Sequence, residues 1–233
     1  MIRSIQGTSL IEYPGRISSV LFTAGCNLAC PYCHNPELVN VDLLDEEFCL
    51  SHDTVIEELN ERAGFIDAVV LTGGEPLLYD SNINLLRRIK EETPLAIKLD
   101  TNGTYPERLK NALSYVDFVA MDLKSSPEKY IFATGGRARF NSVRKSAMLL
   151  LNQTETEYEF RSTMVPGIIN AEDVLLLLDE FAPAKIKRYA LQMFRSEKTL
   201  SPELNGMPSY PSEYIEALAA KMVDRVEDIQ LRI

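Results

Sequence analysis

The stretch Ile17–Asn35, ISSVLFTAGCNLACPYCHN, runs an apolar, β-prone segment straight into a loop holding three of the chain's four cysteines. The segment Ile17–Thr23 reads as a strand, and the polar, glycine-containing turn behind it marks the strand's C-terminal end. The same grammar recurs along the 233 residues. DAVVLT (Asp67–Thr72) is followed by TGGEP, LAIKLD (Leu95–Asp100) by DTNG, and DFVAMDL (Asp117–Leu123) by DLKS. YEFRSTMV (Tyr158–Val165) runs into VPG, KRYALQMF (Lys187–Phe194) follows, and DIQLRI closes the sequence. Several of these runs are almost continuously apolar, as expected of parallel strands covered on both faces.

Amphipathic helical patterns lie between the runs, near Asp53–Ala63, Ile83–Glu92, Arg137–Asn152, Ala171–Phe181 and Pro211–Val226, with a shorter one near Pro106–Ser114. Alternation of strand and helix predicts βαβ units with right-handed crossovers. Six such units predict an α/β fold, an incomplete (β/α)6 barrel with outer helices; a doubly wound sheet is the competing arrangement. No repeat, low-complexity segment or Gly/Ser linker divides the chain, so residues 1–233 are expected to form one domain. Because ligands of parallel α/β folds sit at the C-terminal ends of the strands, five polar loops are expected to face one pocket.

Composition narrows the function. A net charge of −10, without a Lys/Arg run, argues against a nucleic-acid surface. The N-terminus lacks an apolar signal core, and runs such as Ala147–Leu151 fall far short of the ~18 residues of a membrane span. A cytoplasmic protein is expected. In a reducing compartment Cys26, Cys30 and Cys33, odd in number and close together, read as metal-binding or catalytic. Cys-x3-Cys-x2-Cys can supply three thiolates to a [4Fe–4S] cluster, leaving one iron open. The rival is a zinc ion with His34 as fourth ligand, although His34 directly follows Cys33 and adjacent residues rarely reach one ion together. Cys49, isolated in EEFCLSHD, reads as an ordinary thiol. Gly73 and Gly74 of TGGEP permit close backbone approach, and Glu75 can accept from an ammonium group. Arg161, in mid-strand, must face a carboxylate, because burying it unpaired is costly.

The cysteine loop with Tyr32 before its last cysteine, followed by TGGEP at the next strand end, resembles the radical S-adenosylmethionine (SAM) superfamily. CPYCHNPEL, DTNG and MDLK are similar to the branch that activates glycyl radical enzymes. The N-terminal SLIEYPGRISSVLFTAGCNLACPYCHNPELV most resembles activators of anaerobic (class III) ribonucleoside-triphosphate reductases. The resemblance implies a [4Fe–4S] cluster on Cys26, Cys30 and Cys33, with SAM on the open iron and Tyr32 beside its adenine. It further implies SAM contacts from Gly73, Gly74, Glu75, Asn102, Lys124 and Arg161, and a monovalent cation near Asp100 and Asp122 with Thr101 alongside. The formate-lyase activators carry a histidine at the sixth strand end, where this chain offers Gln192 or Arg195 instead. The implied partners are a glycyl radical enzyme as protein substrate, and flavodoxin or ferredoxin as electron donor.

Overall fold

The computed structural model describes residues 1–39 and 49–233. Eight strands form one sheet in the order in which the chain makes them: β1 Ile2–Tyr13, β2 Arg16–Thr23, β3 Ala68–Gly73, β4 Ala96–Thr101, β5 Phe118–Asp122, β6 Glu157–Met164, β7 Ile186–Met193 and β8 Val226–Arg232. Strands β2 to β8 are all parallel, whereas β1 pairs antiparallel with β2. Strictly consecutive order excludes a doubly wound sheet, whose order must reverse at a switch point. The fold is thus the expected partial α/β barrel, with one more parallel strand than six units supply. Strands β1 and β8 are its two edges.

The helices are α1 His52–Arg62, α2 Asp80–Glu92, α3 Pro106–Ala112, α4 Tyr130–Ala133, α5 Phe140–Leu151, α6 Ala171–Asp179 and α7 Ser212–Met222. Their buried faces meet one side of the sheet in a large apolar layer that includes Leu59, Leu71, Leu85, Leu99, Leu109, Met121, Phe160, Val174 and Ile215. Local chemistry sets their ends. Ser51 caps α1 through Thr54 N, and Asn170 with Asp173 forms a reciprocal capping box on α6.

The opposite side of the sheet faces the barrel interior, which is layered. Its lower part is a small apolar plug of Val20, Ala68, Val70, Phe118 and Ala120 closed by Tyr13 of β1, whose ring lies 5.9 Å from that of Phe118. Above the plug the same strands change character: Lys98 and Asp100 on β4, Asp122 on β5, and Glu159 and Arg161 on β6 are inward and polar. Side chains two apart on a strand share a face, so these residues continue the plug's stripe toward the C-terminal strand ends. Among the described residues no helix is long and apolar enough to cross a membrane.

Candidate active site

The cysteine loop leaves β2 at Thr23 and is fastened by backbone bonds on three sides. Gly25 N and Cys26 N donate to Leu38 O and Val39 O (2.8 and 3.3 Å), and Ala29 N donates to Thr134 O (3.2 Å) beyond α4. Leu200 N and Ser201 N donate to Cys33 O and Pro31 O (2.9 and 2.8 Å) from the segment after β7. The turn after β3 completes the frame, with Gly74 N donating to Thr23 O and Glu75 N to Gly25 O. A Cβ on Gly74 would lie 2.0 Å from Gly25 O, and one on Gly73, where φ is +119°, would lie 2.4 Å from Thr23 N. Close approach is what these glycines provide, and its object is first the backbone of the cysteine loop. Gly74→Ala should therefore cost at least about 1–3 kcal/mol in unfolding free energy, because neither backbone can yield without shifting the loop. Thermal melts of iron-free protein read this directly; an unchanged melting temperature would refute the close contact.

A cavity of about 290 Å³ opens at the strand ends. Cys26, Cys30, Cys33, Tyr32, Gly73, Gly74, Asp100, Thr101, Asn102, Asp122, Lys124, Arg161 and Gln192 line it, as do Thr72, Thr163 and His34. The structure thus brings to one place residues from six strand ends that span 167 positions, Cys26 to Gln192. Glu75 and Arg195 are not among the lining residues, and Cys49 is a free thiol elsewhere.

Glu75 is fully buried, and its carboxylate is taken up by the protein. One oxygen accepts from Leu77 N (3.0 Å) and Thr101 Oγ1 (2.7 Å), the other from Asn102 N (2.7 Å). Burial pushes its carboxyl up to about 7 despite these donors. It joins the turn after β3 to the turn after β4 through these bonds. Asn102 in turn donates to Asn27 Oδ1 (3.0 Å) and lies 3.9 Å from Cys26 Sγ, so the DTNG turn buttresses the cysteine loop.

A charge ladder crosses the cavity wall. Asp122 accepts from Arg161 Nε (2.8 Å) and Lys124 Nζ (2.9 Å), while Asp100 Oδ2 accepts from Arg161 Nη1 and Thr72 Oγ1 (both 3.2 Å). Lys98 Nζ lies 2.7 Å from Asp100 Oδ1, although off the line of a hydrogen bond, so that oxygen has no bonded partner. Burial would push both carboxyls up, but the adjacent Arg161 outweighs it, and both stay below the usual carboxylate range. Lys124 is held in its charged form against burial by Asp122. Three cations face two carboxylates, leaving one positive charge over at the wall. The carboxylate pair expected to hold a monovalent cation is already matched by these side chains.

Lys98, Thr72, Thr163 and Asn27 were not singled out from the sequence. For Lys98 and Thr163 the signal was present: each lies two residues along a strand from a ladder member, on the same face.

The donor set fits the implied group. Three sulfurs line one cavity, and burial pushes the Cys26 thiol up to about 12, so a bound cation is needed to hold its thiolate. The buried Tyr32 hydroxyl has no hydrogen-bond partner at the same wall.

The family model of the radical SAM superfamily matches residues 20–181. A protein of Methanocaldococcus jannaschii, provisionally named a glycyl-radical enzyme activating enzyme, is 28% identical over 97% of this chain and 94% of its own length. A Staphylococcus aureus pyruvate formate-lyase-activating enzyme is 27% identical over 77% of this chain and 74% of its own. Among solved structures, SAM-bound SuiB of Streptococcus suis superposes on 92% of this chain with a TM-score of 0.69 at 15% identity, and this chain spans 52% of it.

Proposed function

This chain belongs to the radical SAM superfamily, and on that premise we propose that it activates a glycyl radical enzyme, namely an anaerobic ribonucleoside-triphosphate reductase. The observation that carries the reading is the convergence of three thiols and a net-positive charge ladder on one cavity. When bound, a [4Fe–4S] cluster and SAM supply reductive cleavage of SAM to methionine and a 5′-deoxyadenosyl radical.

The chain's own residues bind, orient and exclude water. Cys26, Cys30 and Cys33 hold the cluster, and the pinned loop fixes their spacing. Arg161 and Lys124 present the positive charge that a SAM carboxylate requires, held in place by Asp100 and Asp122. Asn102 and Thr101, locked by Glu75, complete the wall, with Gln192 opposite. Tyr32 offers its ring to the adenine. The sheet ends at β1 and β8 without pairing them, and the side between these edges is the entry this reading gives to a glycine-bearing loop of a partner protein. The reductant is a low-potential one-electron carrier such as flavodoxin or ferredoxin, and the compartment is the cytoplasm, where the thiols stay reduced.

The relative's name supports activation of a glycyl radical enzyme without choosing the partner, and the formate-lyase activator among the relatives favours a second reading, formate lyase as substrate. The test is anaerobic: reconstituted protein, SAM and dithionite are mixed with each candidate enzyme, and the glycyl radical is read by electron paramagnetic resonance. A radical on the reductase alone is expected. A radical on formate lyase alone would transfer the assignment to that partner, and conversion of a small molecule without any partner would end the activase reading.

A further inference from the structure

The radical SAM reading requires an electron to reach the cysteine loop from outside, while the substrate must reach the cavity within. One face satisfies the first need without the second. Helix α4 and the loop behind it, residues 130–139, contribute no lining to the cavity, yet they touch the cysteine loop directly. Thr134 O accepts from Ala29 N (3.2 Å), and a Cβ on Gly135 would lie 2.2 Å from Ala29 O. Ala29 adjoins Cys30, so the face lies one hydrogen bond and one residue from a cluster ligand.

The outer side of this segment is apolar and basic. Phe132 is 60% and Ile131 43% exposed, although both belong to a short helix whose Tyr130 and Ala133 are buried. Arg137 and Arg139 follow in the next loop, exposed and without an ion pair among the described residues. Of the six cations in residues 124–145, Lys124 pairs with Asp122 in the cavity, Lys129 with Asp173 and Arg144 with Glu180, which leaves Arg137, Arg139 and Lys145 against one acid, Glu128, in a chain whose net charge is −10. The platform is also held firmly: Ser126 Oγ donates to Asp173 Oδ1 (2.7 Å), Lys129 pairs with Asp173, and Thr134 Oγ1 donates to Tyr130 O. An exposed aromatic on a short helix followed by unpaired arginines in the next loop is the composition of a docking site for an acidic protein.

We propose that this face docks a small acidic one-electron carrier protein, which delivers its electron through the Thr134–Ala29 hydrogen bond to the Cys30 side of the cluster. The carrier is oxidised by one electron and the cluster reduced by one. No proton or other group moves. The proposal rests on the radical SAM reading, and the experiment separates the two.

Flavodoxin is the probe. Its affinity for wild-type and R137E/R139E protein is measured by calorimetry at low ionic strength, on both iron-free and reconstituted chains, so that the binding result does not depend on cluster chemistry. Reduction of the reconstituted cluster by flavodoxin hydroquinone is followed by stopped flow, with dithionite-driven 5′-deoxyadenosine formation as the parallel readout. Both affinity and reduction rate should fall at least about tenfold in the variant, and the salt dependence of the wild type should flatten. Dithionite-driven turnover should be unchanged. R137K/R139K, which keeps the charge, should behave as wild type.

Equal affinity and rate in wild type and R137E/R139E would overturn the proposal, as would an equal loss in the lysine variant. So would loss of binding to the glycyl radical enzyme with flavodoxin unaffected, which would make this the substrate's surface. Absence of 5′-deoxyadenosine from wild type with dithionite would instead overturn the radical SAM reading and leave the binding result to stand for the surface.

Discussion

Cys30→Ala protein will fold as wild type, hold little reconstituted iron, and form 5′-deoxyadenosine at least about 10³-fold more slowly, about 4 kcal/mol in barrier. The expected size follows from where Cys30 sits. It is the most deeply buried of the three cysteines, packed against the apolar layer where it meets the cavity, and an alanine methyl there offers iron no ligand. Two remaining thiolates cannot fix the orientation of a four-iron cluster, and both the electron and the ligand depend on that orientation. Removing one sulfur leaves the backbone bonds of the loop untouched, and the iron-free melting temperature should stay within a few degrees of wild type. Iron and sulfide analysis, thermal melts and the nucleoside assay decide together. Wild-type iron content and activity in the variant would remove Cys30 from the ligand set.

Arg161→Met will lose about 3–5 kcal/mol of stability and most SAM affinity at once. Arg161 is buried and is shared between Asp100 and Asp122, donating Nη1 to one and Nε to the other. Removing it strips a charge-assisted hydrogen bond from each of two buried carboxylates, leaving Lys98 beside one and Lys124 beside the other, and each such bond is worth about 1.5–3 kcal/mol. The surplus positive charge of the ladder disappears with it, so an anionic ligand group loses its attraction. Arg161→Lys keeps the charge but cannot bridge two carboxylates with one ammonium, and should recover stability only in part. Denaturant unfolding and equilibrium dialysis with SAM check both halves. A stable variant that binds SAM as wild type does would show that the ladder is structural ornament around a site built from other groups.

The strands that position the site were legible because they are parallel and covered. Val69–Leu71 and Val119–Met121 are buried on both faces, and continuous apolar runs follow from that. Strand β1 was not legible. Its residues alternate with exposed ones, its pairing with β2 is irregular at three places, and Leu10 and Ile11 lie exposed, so its pattern matches neither a buried strand nor a helix. The helix expected from Arg137 begins at Phe140, since Arg137 and Arg139 belong to the basic loop that leaves α4. Helix α4 itself is four residues long, below what periodicity can show.

The site divides in the same way. The cysteine loop was readable because its ligands lie within eight positions, and local spacing carries the chemistry. Glu75 was readable as important, but no local pattern says that Thr101 and Asn102, nearly thirty residues away, donate to its oxygens. Nor could sequence show that the segment after β7 bonds across to Cys33 and Pro31, because such a strap has no periodicity of its own.

The fastened loop bears on how such a protein is born and repaired. In zinc fingers the metal supplies the folding free energy, and the chain without it is shapeless. Here the loop's backbone partners come from four separate segments, and all of them are protein. Synthesis and metallation are therefore separable events. A loop held by these bonds is expected to keep its shape before a cluster is bound and after it is lost, so that one molecule can be loaded more than once. Abundance of the polypeptide and abundance of the working enzyme become independently set quantities, the first by translation and the second by the cell's supply of iron and its freedom from air.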